Sequence, residues 1–286
     1  MFLIIGIIFI FITVFGGYML GGGYMGVLYQ PFEFMIIFGA MIGSFLIGSP
    51  KEVIMGTLKA FPLLLRGIKH NKSSCLELLT MLYTIFLLAK TKGDLALESH
   101  VEKPDESPLF QRFPGFMHDH HMLLFLCDYL RLLTLGTNNA YEVESIIDAE
   151  IEAHHHEVGA RATAITTMGD ALPALGIVAA VLGVIHTMGS ITEPPEVLGH
   201  LIGGALVGTF SGVLASYGFV APMGKLLEQI YEADTQYLMC IKTGLLAHMQ
   251  GYAPQVSIEF ARKILPDSIR PTFAELENAV NNLSSE

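Results

Sequence analysis

Four stretches of this chain run without a single Asp, Glu, Lys or Arg: Met1 to Leu20, Phe34 to Gly48, Ala171 to Thr192 and Leu201 to Pro222. A helix that crosses roughly 30 Å of hydrocarbon needs about 20 mostly apolar residues, because in lipid each backbone N–H and C=O must be satisfied within the helix. The runs therefore predict an all-α integral membrane protein with four transmembrane helices. Phe34 to Gly48 is short for that task and reaches across only if Pro31 to Glu33 lies at the interface, within the snorkelling reach of the carboxylate. A content of 52% hydrophobic and 15% charged residues departs from the soluble average in the same direction. Met1 to Leu20 lacks a basic leader and a small-residue cleavage site, so it reads as a retained span.

Charge orients the spans. Of the 16 Lys and Arg, eleven fall between Lys51 and Arg161 and five between Lys225 and Arg270, and the positive-inside rule places both blocks in the cytoplasm. Gly21 to Gln30 and Glu193 to His200 carry no Lys or Arg and become short outer loops, the second marked by Pro194-Pro195. The expected organisation is a first hairpin at 1–48, a large helical cytoplasmic loop at 49–169, a second hairpin at 170–222 and a cytoplasmic tail at 223–286. Both termini are then cytoplasmic.

The cytoplasmic segments also read as helical. Lys51 to Lys69 has amphipathic spacing, with Pro62 expected to kink or end the helix. Ser73 to Ala89 carries leucines on too many faces for one narrow stripe, so it should pack inside a helical bundle. Pro104, Pro108 and Pro114 punctuate the chain before Met122 to Leu135 and Val143 to Glu157, which again read as helices.

Several function classes fall away. A net charge of −11 without a basic aromatic stripe argues against nucleic acid. Cys75, Cys127 and Cys240 are isolated, which supports neither zinc nor a disulfide framework. His154, His155 and His156 beside Glu150, Glu152 and Glu157 invite a metal reading, but consecutive histidines point in different directions on a helix, and a solvated acidic surface is the reading adopted. His118, His120 and His121 lack an accompanying catalytic motif and are assigned a structural or surface role. With no nucleophile motif or phosphate loop, no enzyme activity, cofactor or metal is expected.

The spans carry a different signal. Gly204, Gly208, Gly212 and Ser216 recur every four residues, and the preceding span adds the small residues Gly176, Ala179, Ala180 and Gly183, so helices can approach closely there. Pattern alone leaves open whether these faces only pack the subunit's own helices or line a partly hydrated seam with Thr209 and His186. Intramembrane carboxylates usually mark an ion path, yet Glu33 and Asp170 stand only at span ends. If ions pass, the protonatable group comes from a partner helix.

Thr13 to Tyr18 (TVFGGY), Leu28 to Pro31 (LYQP), Gly39 to Phe45 (GAMIGSF), Gly169 to Ala180 (GDALPALGIVAA), Val207 to Phe210 (VGTF), Tyr217 to Pro222 (YGFVAP), Gly251 to Pro254 (GYAP) and Arg270 to Phe273 (RPTF) resemble, in order and spacing, the bacterial flagellar stator protein family MotA. The resemblance spans essentially the whole chain. It implies a pentameric ring in the inner membrane around a dimer of MotB, whose single membrane helix brings the missing aspartate, and a cytoplasmic loop that pushes on the rotor protein FliG to drive flagellar rotation. It further implies that Pro173 and Pro222 govern the coupled movement, with Asp170 beside the first, and that Thr209 is the hydroxyl on the ion path. Ala180 stands where similar sodium-driven stators have threonine. Sodium needs several oxygen ligands whereas a proton needs one carboxylate and a hydrogen-bonded route, so the transported ion is expected to be the proton. Glu98 and Glu150 match charged rotor-facing positions, and Lys90 stands where arginine is usual, keeping the charge without the guanidinium fork. An ExbB/TolQ-like energiser of an envelope complex is the related alternative, but its usual topology has fewer spans. A secondary transporter would show broken helices or an inverted repeat, and neither is visible.

Overall fold

The computed structural model describes residues 2–137 and 139–284, and among them there is no β-strand. Packing divides the chain into one unit of Met1–Gly67 with His156–Tyr231 and a second of Ile68–His155 with Glu232–Glu286.

In the first unit, α1 (Phe2–Leu20) has no buried residue, as expected of a helix apolar on every side. A 3-10 turn at Met25–Leu28 leads into α2 (Pro31–Gly48). This helix includes Pro31 to Glu33, which supplies the length the uncharged run lacked. Proline suits a first helical position, where its missing N–H costs nothing, and Glu33 in the first turn complements the helix dipole. Then α3 (Lys51–Arg66) runs through Pro62, which was expected to kink or end it, and stops instead at Gly67 with φ +75°. Its inner face packs Ala60 and Leu64 against Val158, Ala162 and Ile165 and against Leu227 and Tyr231.

The second hairpin departs from the hydropathy boundaries. Val143 to Glu157 and most of Ala171 to Thr192, read as separate elements, lie in one 49-residue helix, α8 (Ala140–Met188). Charges such as Arg161 and Asp170 end an apolar run but do not interrupt a helix. At its far end α8 stops at Met188, where Gly189 and Ser190 turn the chain. Next, α9 (Pro195–Ala215) absorbs most of the predicted outer loop Glu193 to His200, again with proline at the first turn. Beyond a π-turn at Ser216–Val220, α10 (Ala221–Met249) continues past Pro222. Within the first unit, Ile37 of α2 is fully buried against Leu172 and Ala179 of α8.

The second unit is a helical bundle. Asn71 and Ser74 form a reciprocal capping box that starts α4 (Lys72–Lys92). Short α5 (Glu98–Glu102) and α6 (Pro114–Met117) precede α7 (His120–Thr134), and α11 (Pro254–Ile264) and α12 (Phe273–Ser284) complete the bundle with the start of α8 and the end of α10. Its core joins Leu78, Leu82 and Phe86 of α4 to Leu126, Ile147, Ile241 and Ile258. Among the described residues, five helical segments are long and apolar enough to cross a membrane, but the Lys72–Lys92 window is 56% buried inside the protein, against 0% for Phe2–Leu20 and 6% for Met25–Gly48. Its apolar side chains are thus consumed by the bundle core.

Candidate functional site

The small residues of α8 and α9 bring two backbones into contact. A methyl group at Gly176 would stand 2.8 Å from the Gly208 carbonyl oxygen and 3.1 Å from the Gly212 Cα. At Gly208 it would meet the Ala180 backbone nitrogen at 3.0 Å, and at Gly212 the Leu172 carbonyl oxygen at 2.6 Å. Such contact needs glycine on both helices. Ala180 therefore adjoins Gly208, one residue from Thr209, and both Ala180 and Thr209 are half-buried. The structure brings together these two positions, which the sequence placed on one ion path.

Pro173 and Pro222 lie at the same end of this pair. Gly169, one turn before Pro173, packs so closely on Ala221 that an added methyl would be 3.0 Å from its nitrogen. Pro173 sits within α8, where its missing N–H leaves the Gly169 carbonyl without a helical donor. Pro222 does the same to Gly218, and the backbone answers with the π-turn, in which the Ala221 N–H donates to the Ser216 carbonyl. The Ser216 hydroxyl is fully buried there without a partner among the described residues. Sequence reading missed this turn, although a proline at the end of an uninterrupted apolar helix was its signal. Asp170 is exposed, and Glu33 has one carboxylate oxygen buried without a partner among the described residues.

The predicted rotor-facing residues belong to the second unit. Glu98 opens α5 and is exposed. Glu150, on α8, is not simply solvated: it accepts a short hydrogen bond from the Tyr129 hydroxyl of α7. Burial, followed by that carboxylate, pushes the Tyr129 hydroxyl well above its usual pKa. Lys90, exposed at the end of α4, lines a cavity of about 220 Å³ with Asp94, Thr137, His248 and Tyr252. Burial lowers the His248 pKa, helped by Lys90 and opposed by Asp94. The ring stacks on Phe86 with centroids 4.7 Å apart.

Two charge clusters, each around a largely buried side chain, had no sequence signal, because their members are far apart in the chain. Lys242, nearly buried on α10, reaches Asp148 at 2.6 Å and Glu144 at 3.5 Å. Ahead of α4, the buried His70 ring stacks on Tyr237 and approaches Asp234 at 2.9 Å, while Lys69 meets Asp119 at 2.8 Å and Asp234 at 3.5 Å. Burial alone would raise the Asp234 pKa, but His70 and Lys69 outweigh it and hold the carboxyl below its usual value. His121, read as structural or surface, stacks on His154 at 4.4 Å, and His155, read as part of a solvated acidic surface, has its Nδ1 3.3 Å from the Thr235 hydroxyl.

The N-terminal model of motility protein A matches residues 4–93, and the model of the MotA/TolQ/ExbB proton channel family matches residues 119–239. Motility protein A of Salmonella typhimurium is 44% identical over 280 residues, covering 98% of this chain and 95% of the relative. The chain belongs to the motility protein A family. Motility protein A of Escherichia coli is 45% identical with the same coverage. Among solved structures, the flagellar MotAB stator complex of Bacillus subtilis superposes with a TM-score of 0.76 at 27% identity, covering 92% of this chain and 95% of that one. Likeness over nearly the full length of a motility protein A means that α1 to α3, as well as the channel-type core, have family counterparts.

Proposed function

We propose that this chain is the ring-forming subunit of a flagellar motor stator and that, with a MotB-like partner, it couples proton flow across the bacterial inner membrane to torque on the rotor protein FliG. The observation that carries this reading is the α8/α9 seam: two backbones in contact, a half-buried Thr209 next in the chain to the Gly208 that adjoins Ala180, and no acid between Glu196 and Glu228. Such a seam can guide a proton but cannot carry it alone. The protonatable aspartate therefore comes from the partner's helix, docked where α8 and α9 leave small side chains, and a pentameric ring encloses a partner dimer. Four spans cross the membrane: α1, α2, the second half of α8, and α9 continuing to Pro222. Both termini are cytoplasmic.

The two prolines provide the compliance. Each leaves a carbonyl without its helical donor, so the helix can bend there at small cost when the partner carboxylate changes charge. Lys90, Glu98 and Glu150 form the surface that meets the rotor. Exposed charge pairs contribute about 0 to 1 kcal/mol each, which suits contacts that form and break at every step. Ala180 offers neither donor nor acceptor, which favours the proton over sodium. No catalytic step is assigned to the chain. The match to a motility protein A N-terminal model supports a flagellar stator over an envelope energiser.

The test is to supply this gene and its cognate partner to a stator-deleted bacterium and collapse the proton and sodium gradients separately. Swimming abolished only with the proton gradient is the expected result. Dependence on sodium would overturn the ion assignment, and no swimming despite insertion and partner binding would overturn the flagellar role.

A further inference from the structure

Ser49 and Pro50 are extended, because proline pushes the residue before it out of the helical region, so α2 and α3 are separate helices joined by two residues. Leu3, in the first turn of α1, packs on the cluster built by the inner face of α3, which sets α3 level with that end of the first span. At about 100° per residue, the surface of α3 divides into three successive arcs. Thr57, Ala60 and Leu64 are buried on the first. Leu58, Phe61 and Leu65 follow on the second and are 57%, 46% and 58% exposed. Lys51, Lys59 and Arg66 occupy the third, and all three are exposed. We infer that α3 lies in the headgroup layer of the membrane, with its second arc seated among acyl chains and its third arc bound to the phosphates of anionic lipid.

Position and charge select lipid as the occupant. A single exposed leucine is ordinary, but a row of large apolar side chains along one helix face needs a cover. The core does not supply it, because α3 meets α8 and α10 through the first arc. A helix that starts two residues beyond one span and packs on the first turn of another stands where headgroups begin. Its charge fits that layer: α3 carries Lys51, Lys59 and Arg66 against one acid, Glu52. None of these cations has an ion-pair partner among the described residues, whereas Arg161, which adjoins Gly56 of α3, is paired with Glu157. An apolar face edged by Lys and Arg partitions into an anionic interface, because the long stems lie along the apolar surface while the heads reach phosphate. Each such residue near an anionic leaflet is worth roughly fivefold in local affinity, and salt weakens the attraction.

The depth assigned to α3 rests on the membrane reading of α1, so the experiment tests both. The chain has no tryptophan, and Phe61→Trp therefore places one reporter on the second arc, with the wild-type complex as background. Phe9→Trp, near the middle of α1 and exposed, is the control for a span. Each full complex is reconstituted in vesicles of phosphatidylcholine and phosphatidylglycerol in which one lipid at a time carries bromine, either near the headgroup end or near the tip of its chains. Tryptophan at position 61 should be quenched best by bromine near the headgroup and at position 9 by bromine near the tip. In the same mixture, brominated phosphatidylglycerol should quench position 61 severalfold more than brominated phosphatidylcholine. That preference should vanish in high salt and when Lys51→Gln, Lys59→Gln and Arg66→Gln are combined with Phe61→Trp, all three being exposed positions outside the core. Quenching at position 9 but not at 61 would overturn the inference and hand the face to a second copy, a soluble partner or water. Equal quenching by the two lipids, or a preference that survives the three glutamines, would overturn the anionic site. Silence at both positions would refute the membrane reading and the inference with it.

Discussion

Gly176→Ala tests the seam most directly. The new methyl would lie 2.8 Å from the Gly208 carbonyl oxygen and 3.1 Å from the Gly212 Cα, where ordinary contact begins at 3.4 Å. Both neighbours are backbone, so no rotamer change relieves the overlap and α8 and α9 must separate by about half an ångström, a kind of overpacking that costs about 1–3 kcal/mol. Lipid offers no compensating hydrophobic gain between helices, because close packing is itself the driving force. At 1.4 kcal/mol per tenfold change, that cost moves the equilibrium between packed and separated helices by roughly 5- to 150-fold. Gly203→Ala is the internal control: its methyl would meet only Val27 Cγ1 at 3.5 Å, an ordinary contact. The assay is thermal stability of the detergent-solubilised complex alongside swimming of a stator-deleted strain. Gly176→Ala should lower both and Gly203→Ala neither. Equal stability and full swimming in both variants would refute the claim that backbone contact holds these helices.

The other expectations follow from single groups. Thr209→Val keeps the side-chain shape but removes the hydroxyl at the seam, so ion flux should fall at least severalfold while the complex still assembles, as read by proton uptake and copurification with the partner; undiminished flux would remove Thr209 from the path. Glu275 is pulled from 4.5 to about 2 by Lys72 and by Thr272, so its contribution to docking α12 is present above the unfolded value and lost as pH falls from about 4.5 towards 2. Hydrogen exchange of α12 should accelerate in that window for wild type and not for Glu275→Gln. Burial pushes the Cys75 thiol up to about 11 and the Cys127 thiol to about 12, so neither should react with a maleimide in the native complex at neutral pH. Prompt labelling before unfolding would contradict their burial.

Much of the architecture was legible because lipid imposes strict rules. Uncharged runs marked the membrane helices, and the leucines of Ser73 to Ala89, spread over several faces, marked a core helix before its burial was visible. Boundaries were less legible. Hydropathy reports where charge begins, whereas helices end where backbone geometry changes. Arg161 and Asp170 thus lie inside α8, Pro195 opens α9 within a predicted loop, and Pro62 passes within α3, which ends only before the left-handed Gly67. The π-turn before Pro222 likewise follows from a missing donor, which hydropathy does not see.

By itself, the sequence determined which segments are apolar enough to cross a membrane, that the basic residues fall in two blocks outside the four uncharged runs, and the absence of a carboxylate deep within any of those runs. These are properties of composition along a line, and periodicity and charge carry them. Tertiary structure decided which distant residues meet. Ala180 came to lie against Gly208, the neighbour of Thr209, only because glycines on two helices let their backbones touch. Lys69, His70, Asp119 and Asp234 formed one cluster, and Lys90, Asp94, Thr137, His248 and Tyr252 one cavity, because helix ends more than a hundred residues apart converged. Neighbourhood in space sets the local charge and the missing hydrogen-bond partners, and no one-dimensional pattern contains it.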